Sequence, residues 1–191
     1  MIDQRLYVGA GTMGKSYAMR KHIGKAPRVM VFDPNYETGW GAPGFGAQVV
    51  YDPLELVELV ACKTFRLVFR PEMGKNIIDQ VEYFNQAAWA VGNLTLVWDE
   101  VHKIFGKGRH PEVGLHLVNA GRHRGVKVWA ATRRPTWLRD ITASMTSLYA
   151  FRVAEPDDVN WLAKRIGPKA AQLSDLAPWH FIQKARFCKP V

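Results

Sequence analysis

The chain reads as an α/β protein built on a mostly parallel central sheet with helices on both faces. Three observations predict it. Short apolar runs of strand character alternate with stretches of helical periodicity along most of the 191 residues, which implies parallel strands joined by helical crossovers. The first run, residues 5–10, opens into GAGTMGKS, a glycine-rich loop of the pattern GxxxxGK[ST] with a helix after it. Another run, beginning at residue 93, ends in the adjacent carboxylates Asp99 and Glu100.

Each element has its own justification. Residues 5–10 form a short buried strand and residues 16–22 the helix after the loop. Residues 28–33 form a second strand, closed by Asp33-Pro34. The stretch 39–46 holds four glycines and Pro43 and reads as a loop before a short strand at 48–51. Asp52 and Pro53 then supply an N-cap and a first-turn proline for a helix running through Cys62. Residues 65–70 form a further strand. Ile77, Val81, Phe84, Ala88 and Val91 share one face of a helix over 76–91. Residues 127–132 and 147–153 read as two more strands, and 181–187 as the last.

The loop points to a polyphosphate. Gly9, Gly11 and Gly14 let the backbone curl so that the N–H groups of Gly9, Ala10, Gly11, Thr12, Met13, Gly14, Lys15 and Ser16 converge, and the helix adds its positive end. Lys15 is placed to neutralise β- and γ-phosphates. The Ser16 hydroxyl is placed to ligate Mg²⁺, with Asp99 holding the ion through water. Glu100 can orient and deprotonate an attacking water. ATP and Mg²⁺ are therefore the expected ligands, and hydrolysis the expected reaction. Nucleoside and shikimate-type kinases share the loop but have no use for a glutamate that activates water.

Composition bounds the rest. A chain that is 48% hydrophobic can bury one good core, so a single domain over residues 1–191 is expected. No apolar run of about 18 residues and no leader is visible, so the expectation is a cytoplasmic protein without a membrane segment. Two cysteines, Cys62 and Cys188, suggest neither a metal site nor a disulfide framework. The net charge of +9 invites a polyanion such as DNA. Much of that charge follows the acidic pair: Lys103, Lys107, Arg109, Arg122, Arg124, Lys127, Arg133, Arg134 and Arg139, expected on the side where loops leave the C-terminal strand ends. Lys103, Lys107, Arg109 and Arg124 are the candidate DNA contacts. His102 reads as a helix-surface or core-edge residue, and the DEVH string at 99–102 lacks the second domain that a DExH helicase needs. Most tryptophans read as core. Trp40 and Trp137, in loops, are the candidates for base stacking.

The order of the phosphate loop, FDPNYE at 32–37, LVWDE at 96–100, NAGRHRGVKVWAATRRP at 119–135 and ITASMTSLYAFRV ending at 153 resembles the FtsK/HerA superfamily of DNA-pumping ATPases. DPNYE lacks the glycine of the family's DP-x-GEY, and ATRRP stands where the family has ATQRP. Small size makes the chain most similar to the genome-packaging ATPases of double-stranded DNA viruses. The resemblance implies a RecA-like P-loop fold in which residues 127–132 lie between the two strands that carry the phosphate loop and the acidic pair. It carries Lys15, Ser16, Asp99 and Glu100 into the roles given above. Arg133 takes the position of a glutamine that senses γ-phosphate; an arginine cannot accept a hydrogen bond there and would act as a charge on phosphate or DNA. Arg122 matches an arginine that faces the neighbouring subunit's nucleotide, a finger supplied in trans, with Arg124 its nearby competitor.

Site and resemblance together imply an ATP-driven double-stranded DNA translocase, acting as a homo-oligomeric ring of five or six subunits. It would package a viral genome into a preformed capsid, with a capsid vertex or portal protein as partner, in the host cytoplasm or with the virion. The alternatives are a DNA transfer or segregation motor of the same superfamily, a small-molecule or nucleotide kinase, and a nucleotide-gated nucleic-acid-binding assembly module.

Overall fold

In the computed structural model, which describes residues 3–106 and 110–185, the strands are β1 (Arg5–Val8), β2 (Arg28–Phe32), β3 (Gln48–Val50), β4 (Phe65–Phe69), β5 (Thr95–Trp98), β6 (Lys127–Thr132), β7 (Ser147–Ala150) and β8 (Ile182–Ala185). The helices are α1 (Lys15–Ile23), α2 (Pro53–Val60), α3 (Ile77–Val91), α4 (Glu112–Ala120), α5 (Arg139–Thr142) and α6 (Pro156–Ile166). All eight strands join one sheet in the order β3-β4-β2-β5-β6-β1-β7-β8. Every pairing is parallel except β7 with β8. The mostly parallel sheet is the expected one, and β6 lies between β1 and β5 as the motif order implied. Residues 186 and 187 of the expected last strand lie outside the described residues.

Strand side chains alternate between two apolar layers. Leu6, Val8, Met30, Phe32, Leu96, Trp98, Val128 and Ala130 face a layer completed by α2, α3, α4, α5 and α6. Tyr7, Val29, Val31, Val97, Trp129 and Ala131 face the other, closed by α1 together with Trp40 and Phe45 from the glycine-rich stretch. Helices cover both faces, though unequally. Burial on both sides is why the strands read as continuous apolar runs and not as alternating ones.

Asp52 is the expected N-cap, although α2 ends at Val60, short of Cys62, and Asn76, expected within its helix, instead caps it. The Asp52 carboxylate accepts from Leu54 N–H at 2.9 Å, and Asn76 does the same for Ile78 at 3.0 Å. Among the described residues no helix is long and apolar enough to cross a membrane.

Candidate functional site

The phosphate loop extends β1 past its last paired residue. Gly9 N–H donates to Thr132 O at 3.0 Å and Ala10 N–H to Arg152 O at 2.9 Å, so both flanking strands grip the loop's base. A Cβ on Gly9 would lie 2.6 Å from Phe151 Cβ, which explains the first glycine. Gly14 sits at φ 99° as the N-cap of α1, a conformation that favours glycine. Nothing lies within 4 Å of a Cβ built on Gly11. Lys15 is buried at 5% exposure, its ammonium donating to Gly9 O and Ala10 O at 3.0 and 2.9 Å.

β5 brings the acidic pair to the same end of the sheet. Asp99 N–H donates to Phe32 O at 3.0 Å, the last rung toward β2. Glu100 then turns at φ 48°, left-handed backbone that few non-glycine residues adopt. That turn lets two successive carboxylates serve one site from different sides. Asp99 Oδ2 accepts from Ser16 Oγ at 3.1 Å and from the indole Nε1 of Trp40 at 2.7 Å, while Oδ1 accepts from Glu100 N–H. Glu100 Oε1 lies 3.8 Å from Lys15 Nζ, and Oε2 lies 3.7 Å from Arg133 Nε.

Burial dominates the electrostatics of Asp99, raising its carboxyl to about 7; Glu37, Glu100 and Asp33 push the same way and the Trp40 hydrogen bond opposes them. Asp33 of the FDPNYE segment is also raised by burial, but it is structural: it holds Arg70 Nε at 3.0 Å and Glu37 N–H at 3.1 Å. Ser16 and Asp99 together present hard oxygen donors, the kind Mg²⁺ selects. Among the described residues no group of three or more His, Cys, Asp and Glu could hold a metal. Phosphate oxygens and water would therefore have to complete the shell of an ion held by Ser16 and Asp99.

Three residues take places at the site that sequence reasoning did not give them. His102, expected at a helix surface or core edge, packs inside the site with a side chain only 7% exposed. Its Nδ1 lies 3.1 Å from Glu100 Oε2 and 3.3 Å from Thr132 Oγ1, and its Nε2 accepts from Arg133 Nε at 3.4 Å. A donor on Nε2 leaves the proton on Nδ1, within reach of Thr132 Oγ1, whereas Glu100 Oε2 is buried without a hydrogen-bond partner. Desolvation, then the cations Arg133, Lys103, Lys15 and Arg134, lower the imidazole to about 4, so it stays neutral near pH 7. Trp40, expected as a stacking candidate in a loop, is instead fully buried and serves Asp99. Trp179 packs on Gly14 from the far end of the chain. The DEVH string was a visible signal for His102; for the two tryptophans only their presence near glycine-rich or loop segments was visible.

The arginines divide between the two ends of the sheet. Arg133 and Arg134 leave the C-terminal end of β6, beside the phosphate loop; Arg134 pairs with Glu155 and Asp158 at 3.5 and 3.6 Å. Arg122, Arg124 and Lys127 precede or begin β6 and so lie at the opposite end, which corrects the expectation that all this charge shares the phosphate-loop side. The physical reason is direction: residues entering a parallel strand sit at its N-terminal edge. Arg122 is exposed. Arg124 donates to Trp89 O and Ala90 O, the open carbonyls at the end of α3, at 3.2 and 2.7 Å. Lys103 contacts Asn35 Oδ1 at the rim of the site. Lys107 and Arg109 lie outside the described residues.

No protein-family model matches the sequence, and no curated protein matches it. Among solved structures, the genome packaging NTPase B204 from Sulfolobus turreted icosahedral virus 2, in complex with AMPPCP, superposes with a TM-score of 0.75 at 19% identity, over 96% of this chain and 92% of that one. The DNA-packaging ATPase B204 from Sulfolobus turreted icosahedral virus superposes with a TM-score of 0.71 at 19% identity, over 96% and 92%. VirB4 of Thermoanaerobacter pseudethanolicus superposes with a TM-score of 0.67 at 10% identity, over 96% and 87%. The chain has the fold of these proteins, which is the fold its motifs implied.

Proposed function

We propose that this chain is an ATPase that moves double-stranded DNA, assembled as a ring and working in the packaging of a viral genome. One observation carries the hydrolytic reading: Glu100 stands 3.8 Å from the phosphate-loop lysine while its neighbour Asp99 is bonded to Ser16. A carboxylate beside the lysine that would hold the γ-phosphate is positioned to accept a proton. In the proposed step water attacks the γ-phosphorus, its proton passes to Glu100, and the bond to the bridging oxygen breaks to release ADP. Lys15 and the loop N–H groups hold the phosphates. Mg²⁺ held by Ser16 and Asp99 would offset charge on the phosphate oxygens. Neutral His102 packs beside Glu100 and adds no positive charge to the site.

The DNA part of the reading is supported by the net charge of +9 and by the described use of the B204 proteins. The finger role of Arg122 and the sensor role of Arg133 belong to the same proposal. The test is steady-state ATP hydrolysis with and without long double-stranded DNA, for the native chain and Glu100→Gln. Strong stimulation by DNA that disappears in Glu100→Gln is expected. Turnover indifferent to DNA in a demonstrably assembled sample would refute the motor and favour a kinase or a gated module.

A further inference from the structure

The phosphate loop accounts for one end of a nucleotide; two exposed aromatic rings, Tyr17 and Trp179, stand against that loop. Trp179 and Tyr17 are 58% and 50% exposed, large apolar surfaces left open on a protein that buries Trp40, Trp98 and Tyr7 completely. Their rings meet edge to face, with centroids 5.0 Å apart and planes at 80°. Tyr17 follows Ser16 directly in the first turn of α1. Trp179 comes from the segment between α6 and β8, and its backbone N–H donates to Met13 O inside the loop at 3.1 Å.

Two features argue that Trp179 is held there deliberately. Its φ is 71°, a conformation that a bulky side chain rarely adopts and that persists only where its surroundings enforce it. Its ring and backbone also fill the space above Gly14: a Cβ on that glycine would lie 2.8 Å from Trp179 Cε3 and 3.2 Å from its Cα. Core packing does not explain a ring this exposed, and a mere strap across the loop would not need an indole.

We infer that Trp179 and Tyr17 form the nucleobase subsite of the phosphate-loop site, stacking the planar base of a nucleoside triphosphate and preferring purines for their larger face. The inference rests on the reading of residues 9–16 as a nucleotide site. Stacking recognises the π-face and not the hydrogen-bonding edge, so ATP and GTP bind nearly alike, ahead of CTP and UTP.

The experiment compares, by titration calorimetry with Mg²⁺ present, the binding of ATP and of inorganic tripolyphosphate to the native chain, Trp179→Ala, Trp179→Phe and Tyr17→Leu. Trp179→Ala is expected to weaken ATP by about tenfold or more. It leaves tripolyphosphate unchanged, and Trp179→Phe keeps most of the ATP affinity. An equal loss for both ligands would mean that Trp179 only shapes the loop and would overturn the inference, as would an unchanged ATP affinity. Failure of the native chain to bind either ligand would overturn the phosphate-loop reading itself, and this subsite with it.

Discussion

Asp99→Asn should stabilise the nucleotide-free protein in mild base while abolishing hydrolysis. The carboxyl is buried to 2% exposure, and that burial raises it from 3.8 to about 7. Because the folded value lies above the unfolded one, the side chain's contribution to stability is fully present below 3.8 and is lost as pH rises through about 7. Near pH 8.5 the raised value costs the fold about 4 kcal/mol, and near pH 5, where the buried carboxyl is protonated but the unfolded one is not, about 2. Asparagine never ionises, but it has one carbonyl for three donors, with Trp40 and Ser16 on one oxygen and Glu100 N–H on the other. Turning its amide nitrogen toward either set loses about 1–2 kcal/mol. The balance is near zero around pH 5 and roughly 2–3 kcal/mol in favour of Asp99→Asn around pH 8.5, or about 5–10 °C in Tm for a chain of this length. Thermal unfolding of both proteins by circular dichroism, in chelator and without nucleotide, reads this directly. A difference in Tm that is the same at the two pH values would show that Asp99 is not raised by burial, and the reasoning would fail.

Two further outcomes test the charges. Replacing Lys107 and Arg109 together by alanine should flatten the salt dependence of DNA binding by about 0.9 in the logarithmic slope for each phosphate no longer neutralised, whereas Arg124→Ala should leave the slope alone and lower Tm slightly, since its guanidinium serves the carbonyls of Trp89 and Ala90. Mixing inactive Arg122→Ala with inactive Lys15→Ala subunits in equal amounts should restore about a quarter of the native hydrolysis, because about one contact in four then joins an intact arginine to an intact phosphate loop; a mixture as inactive as its components would remove Arg122 from the reaction.

The parts legible in the sequence were those whose signal is local. The phosphate loop is eight consecutive residues, and Asp99 and Glu100 close an apolar run, so both could be placed on strand ends without tertiary information. The central strands were legible because burial on two faces leaves an apolar run inside them, as in Leu96–Val97–Trp98. Partnerships across the chain were not. Trp40 and Asp99 are 59 positions apart, and no spacing ties an indole in a glycine-rich stretch to a carboxylate at the tip of β5. His102 looked like an ordinary neighbour because only the left-handed turn at Glu100 folds the chain back far enough to bring the two side chains together. Trp179 depends on the return of the last strand along β7, which carries the preceding segment over the loop.

The place of Arg122 at the N-terminal edge of the sheet constrains assembly. β6 runs six residues, roughly 20 Å, from Lys127 at one edge of the sheet to Thr132 beside the phosphate loop. An arginine side chain cannot cross that distance, so Arg122 cannot reach the phosphate loop of its own chain. If it completes a nucleotide site, the site is another copy's, and the contact joins the N-terminal edge of one sheet to the C-terminal edge of the next. Such a contact pairs unlike surfaces. Unless one twofold axis joins both pairs of edges at once, it repeats head to tail, and it closes as a ring where the rotation permits. In such a ring each chain presents its Arg133 and Glu100 on the face that receives the neighbour's arginine, and each site is complete only within the assembly. Hydrolysis by this chain would then depend steeply on its own concentration, falling faster than in proportion on dilution even when ATP is saturating.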